Sequence, residues 1–119
     1  MATSRSDKNE ITVTVLVFSG RPNPLWAISI EQYNALLLYL KNLSNISPQE
    51  PLALLGYSGC VINDQAKKVY AFDGIITLTD GRHQSAYADT HRQFEKKLLR
   101  TAPAELIDEI RGMLPAELK

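Results

Sequence analysis

The run Ile11-Thr12-Val13-Thr14-Val15-Leu16-Val17-Phe18 is the strongest constraint on how this sequence can fold. β-Branched residues dominate it, and their stiff side chains fit a pleated sheet surface better than a helix. Alternation puts Ile11, Val13, Val15 and Val17 on one face. The other face begins polar at Thr12 and Thr14 and turns apolar at Leu16 and Phe18, the pattern of a central strand covered on both faces at one end. A sheet has to be built around it.

The strand runs into Ser19-Gly20-Arg21-Pro22-Asn23-Pro24-Leu25-Trp26, which holds two prolines and the sole tryptophan. Proline fixes φ and lowers the entropy cost of holding one geometry, so this is a stiff, shaped connector. A helix follows with clear start signals. Ser29 is its N-cap, Gln32 completes a capping box, and Ile28 and Tyr33 are placed for a hydrophobic staple. Tyr33, Leu36, Leu37, Leu40 and Leu43 mark its apolar face. Lys41 and Asn42 close it before a polar linker over residues 44–51.

Two β-like stretches come next, over residues 56–62 and 68–79. Asp73-Gly74 splits the second in two ways: as a two-residue hairpin turn, or as a bulge in one long strand pairing back onto 56–62. The short arms around Asp73-Gly74 favour the long strand. Residues 80–85 read as a loop and 86–88 as extended. Thr90, with Gln93 three positions on, reads as the cap of a second helix. Its inner face is Phe94, Leu98 and Leu99, and its outer face is a basic stripe of Arg92, Lys96, Lys97 and Arg100. Pro103 opens a third helix carrying Leu106, Ile107, Ile110, Met113 and Leu114, and Pro115 ends it.

The expected order is therefore β-α-β-β-α-α. It describes an α+β domain over residues 10–119 behind a disordered tail over 1–9. The expected sheet is small, antiparallel or mixed, with three to four strands and helices packed on one face. A split ferredoxin-like arrangement is the nearest analogue, with a helix where its last strand would be.

Composition narrows the function classes. At 119 residues the chain suits one domain with a real core. Thirteen basic residues balance thirteen acidic ones, so no global field draws in nucleic acid, and none is expected as a partner. Cys60 is the only cysteine, which excludes an internal disulfide and a Cys-type structural zinc site. Its neighbours Gly59, Val61 and Ile62 make it a small buried hydrophobe. No apolar run approaches the roughly 18 residues that span a membrane. The polar start is unlike a secretory signal, so the expected location is cytoplasmic. No cofactor motif is present and no metal is assigned.

Three groups of residues carry candidate chemistry. In the loop, Arg21 offers a planar cationic fork, Asn23 an amide and Trp26 a flat apolar wall, together a ligand-binding set. The competing view is a rigid connector, with Trp26 buried and Arg21 paired to a surface acid. The second group is Asp80, His83, Asp89, His91 and Glu95. Within it His83, Asp89 and His91 are the candidate acid–base residues, and the spacing matches no zinc motif. The third is the basic stripe, which as a nucleic-acid site would need aromatic partners on a sheet, and the local RNP-type pattern is incomplete.

Two functions follow. One is a small binding or accessory domain that uses the loop to recognise a small molecule or a protein. It should show an open sheet edge or apolar patch near Trp26 and no strongly shifted titratable group. The other is a small enzyme, working as a homodimer, in which Arg21 binds an anionic substrate and a His/Asp pair moves a proton. That arrangement needs Arg21 within about 10 Å of His83 or His91.

Overall fold

The β-branched run forms β1 (Ile11–Val15), with Ile11, Val13 and Val15 buried and Thr12 and Thr14 half-buried. The computed structural model describes residues 10–18, 20–48 and 56–118, so the tail expected over 1–9 lies outside the described residues. Around β1 stands a seven-stranded sheet, in the order β2 (Leu25–Ile28), β1, β4 (Cys60–Asn63), β5 (Lys67–Phe72), β6 (Ile75–Asp80), β7 (His83–Ala88) and β3 (Asn45–Ile46), and every neighbouring pair is antiparallel. The expected sheet of three to four strands is thus overturned, and with it the split ferredoxin-like analogue.

The additional strands come from segments whose local signal is weak. Leu25–Ile28, taken as the end of the stiff loop, is β2 and pairs back onto β1 with Val13 opposite Trp26. The helix α1 (Ile30–Lys41) then carries the chain to the far edge of the sheet. There Asn45–Ile46, part of the presumed linker, forms β3 against β7. β4 (Cys60–Asn63) returns beside β1, and β5 (Lys67–Phe72), β6 (Ile75–Asp80) and β7 (His83–Ala88) follow as a meander.

The long bulged strand is also corrected. Asp73-Gly74 is a hairpin turn, with Phe72 opposite Ile75 and positive φ at both central residues (53° and 88°). That is the twist a two-residue hairpin requires. The arms are not weak, because β4 and β7 support them from either side.

The capping box at α1 is formed as the sequence indicates. Ser29 Oγ accepts from the Gln32 amide at 3.0 Å, and Gln32 Oε1 accepts from the Ser29 amide at 2.9 Å. The second helix differs. Thr90–Arg92 is a tight 3-10 turn in which His91 and Arg92 are both left-handed, and α2 spans Gln93–Arg100. Its cap is Asp89, whose carboxylate accepts from the Phe94 amide at 2.8 Å and the Glu95 amide at 3.1 Å. An ionised acceptor satisfies two free amides and the positive helix end together, which the Thr90 hydroxyl cannot do. α3 spans Ala104–Ile110.

One face of the sheet meets all three helices. Val13, Val15, Trp26, Ile28, Cys60, Ile62, Val69, Ala71 and Ile76 share a single core with Tyr33, Leu36 and Leu40 of α1, Phe94 and Leu98 of α2, and Ile110 of α3. The opposite face is more polar, bearing Thr12, Thr14, Leu25, Ala27, Asn63, Lys68, Thr77 and Thr79, and these stay outside that core.

Candidate functional site

The connector between β1 and β2 is held by its own polar groups. Asn23 Oδ1 accepts from the backbone amides of Val17 at 2.9 Å and Phe18 at 2.8 Å, and the Pro24 carbonyl accepts from the Val15 amide at 3.0 Å. Asparagine here acts as a backbone mimic that closes the turn. Trp26 is buried, and its Nε1 donates to Thr101 Oγ1 at 2.8 Å, pinning the α2–α3 junction to the sheet. Arg21 lies over the Phe18 ring at 3.7 Å and reaches Glu109 of α3 at 4.0 Å. Both partners of that ion pair are about half exposed, where such a pair contributes little. The buried Trp26 and the Arg21–Glu109 pair are the geometry of the rigid-connector view, and Arg21 is about half exposed.

His83 stands apart from the other two acid–base candidates. His83 opens β7 and Asp89 follows its end, so at about 3.3 Å per residue they stand about 20 Å apart. Arg21 lies at the end of the sheet opposite His83 and four strands away, beyond the roughly 10 Å that cooperation would need. His91 is exposed on the strained turn, and Asp89 is buried as the α2 cap. Among the described residues, no three of His, Cys, Asp and Glu converge to hold a metal ion.

Arg92, placed by the helical pattern on the outer basic face, and Glu95 of the second candidate group are both buried. Arg92 donates from Nε and Nη2 to the two Glu95 oxygens, at 2.9 Å each. Tyr57 Oη also donates to Glu95, as does the Asp73 amide at 3.1 Å. The fork holds the guanidinium proton more tightly than usual, chiefly through its hydrogen bond to Glu95. Tyr57 also lies 3.4 Å from the Cys60 sulfur.

The Cys60 thiol is pushed up to about 12, first by its burial, with the Tyr57 hydrogen bond pulling the other way. Burial likewise raises the Tyr57 and Tyr33 hydroxyls. Strongly shifted groups are thus present, against the expectation for a binding domain. The cause is desolvation, which makes them less reactive. An unfolded thiol titrates near about 8.5. The folded chain keeps a proton that the unfolded chain has lost, so this contribution to stability is full below about pH 8.5 and is lost as pH rises toward 12. Urea midpoints at pH 7.5, 9 and 10.5 should fall in that order, and Cys60→Ala should flatten the fall. An equally steep fall in Cys60→Ala would remove the thiol as its source.

Among the described residues, nothing pairs with the sheet edge beside Trp26. β2 is the outermost strand, and Leu25 is 57% exposed. Because Val15 bonds to Pro24, the alternating ladder turns the Trp26 and Ile28 backbone groups toward β1. It leaves the amides and carbonyls of Leu25 and Ala27 pointing outward. Leu25-Trp26-Ala27-Ile28 is apolar throughout and shows no polar alternation, so the sequence alone did not mark it as a strand. Comparison with protein-family models, with curated proteins and with solved structures gives no match.

Proposed function

We propose that this chain is a recognition domain that takes an extended segment of a partner protein along the outer edge of β2, with Arg21 at the end of that edge as a contact for a partner carboxylate. The observation that carries the reading is the edge itself. Sheet proteins blunt exposed edges with lysine, proline, a bulge or a cover. Leu25-Trp26-Ala27-Ile28 has no charge and no proline, and among the described residues nothing pairs with its outer side. Strand addition would give affinity through the main-chain groups of Leu25 and Ala27 and selectivity through the side chains beside them. The rigid connector holds the edge ready, so little ordering entropy opposes binding.

Ala27→Pro tests this selectively. It deletes an outward amide and adds a ring on the outer side, while the bonds from Trp26 and Ile28 to β1 remain. Extended peptides selected from a displayed library on the wild-type domain should bind Ala27→Pro at least about tenfold more weakly, with the urea midpoint close to wild type. Leu25→Lys should weaken binding in the same direction. A library that yields no binder, or binders indifferent to both substitutions, would falsify the edge as the recognition element.

A further inference from the structure

The basic stripe read along residues 92–100 divides in the folded chain. Arg92 turns inward to Glu95, and Lys97 stands 4.9 Å from the centre of the Tyr39 ring. Lys96 and Arg100, one helical turn apart, make no ion pair among the described residues. Both border a groove of about 380 Å³ between α2, α3 and the C-terminal segment. Leu99, Ile107, Leu114 and Leu118 line it with apolar surface. Arg111 stands at the rim with its charge matched by Asp108 at 2.8 Å, and the one acid on the lining, Glu117, faces Arg92 at 3.3 Å.

The geometry points to a binding site for a small amphipathic carboxylate, its apolar body on the leucine and isoleucine floor and its head between Lys96 and Arg100. An apolar floor alone would accept any oily molecule. The two unmatched cations select an anion, and the guanidinium fork of Arg100 fits a planar carboxylate. At about 30 Å³ per water-sized atom, the volume accommodates about a dozen non-hydrogen atoms, the size of decanoate. Small-molecule sites typically begin at about this volume and join apolar lining to a few placed polar groups. None of the groove's lining residues belongs to β2 or its connector, so its test does not depend on that proposal.

The test is a titration of the ¹⁵N-labelled full chain with decanoate, decanol and decyltrimethylammonium, all kept below their micellar concentrations, with amide shifts mapped by residue. Decanoate should shift the amides around Leu99, Ile107 and Leu114 saturably, about tenfold more tightly than decanol, and the ammonium compound should bind no better than decanol. Lys96→Gln with Arg100→Gln should bring decanoate down to the affinity of decanol while the thermal midpoint holds, because neither side chain pairs with another group among the described residues. Ile107→Trp, which fills the floor, should abolish all three. Equal binding of decanoate and decanol, no saturable shift, or shifts centred elsewhere would overturn the site. So would an acidic peptide that occupies the groove when decanoate does not, which would reassign it to a protein partner.

Discussion

Arg92→Met should lower stability by about 3–5 kcal/mol, the usual cost of removing one partner from a buried ion pair. Glu95 has no solvent exposure, and both its oxygens receive the guanidinium fork. Without Arg92 the carboxylate keeps only the Tyr57 hydroxyl and the Asp73 amide as donors, and its charge has no buried counter-ion. Arg92 also reaches Asp73 at 3.7 Å and Glu117 at 3.3 Å, so one side chain ties the β5–β6 turn, α2 and the C-terminal segment together. Against a total of about 5–15 kcal/mol for a domain of ordinary stability, such a loss is severe. Arg92→Lys should rescue little, because an ammonium cannot make the two parallel bonds. Adding Glu95→Gln to Arg92→Met should recover part of the loss by removing the stranded charge. Urea unfolding decides it: an Arg92→Met midpoint within about 1 kcal/mol of wild type would mean that the pair is solvated and carries no such weight.

That network also shows why the site was hard to read from the sequence. Placing Arg92 on an exposed basic stripe assumed an unbroken helix from Thr90, advancing by equal steps. His91 and Arg92 are left-handed, which shifts the phase and swings Arg92 away from Lys96 and Arg100. Glu95 follows the helical pattern, but its burial is set by Tyr57 and Asp73, 38 and 22 residues away. No local pattern contains that information. The Ser29–Gln32 box was legible because capping involves neighbours only.

The sheet divides along the same line. β1 could be read from its own residues, since β-branched density is intrinsic. β2 and β3 are strands because longer partners, β1 and β7, offer them a ladder. Four and two residues cannot announce that alone. In the loop, the cationic fork of Arg21 was legible from its residue type. The sequence reading of Asn23 did not include the use of its amide oxygen on Val17 and Phe18.

Gly59→Val should cost about 2–6 kcal/mol, and its cause is close approach at the centre of the sheet. Gly59 has a φ of +110°, and a Cβ built there lies 2.6 Å from the Ala71 carbonyl oxygen, 2.9 Å from Phe72 Cβ and 2.9 Å from Tyr70 Cε1. Ala71 is held by the β4–β5 ladder and Phe72 by the β5–β6 ladder, so those two neighbours cannot simply move aside. Backbone strain at such a φ contributes about 1–3 kcal/mol, and overpacking adds about 1–3 kcal/mol. The position also feeds the rest of the fold. The Gly59 carbonyl accepts from the Leu16 amide at 2.9 Å, and Tyr70 Oη bonds the adjacent Ser58 carbonyl. A displaced Gly59 would loosen the end of β1 from which the β2 connector departs, so the proposed recognition edge should lose order along with stability. Gly81→Val separates the two causes, because Gly81 also has a positive φ but among the described residues nothing lies within 4 Å of its Cβ position. Its cost should stay within the strain contribution of about 1–3 kcal/mol. Equal losses for the two valine variants in denaturant unfolding would show that crowding against β5 contributes nothing and that strain alone sets the penalty at Gly59.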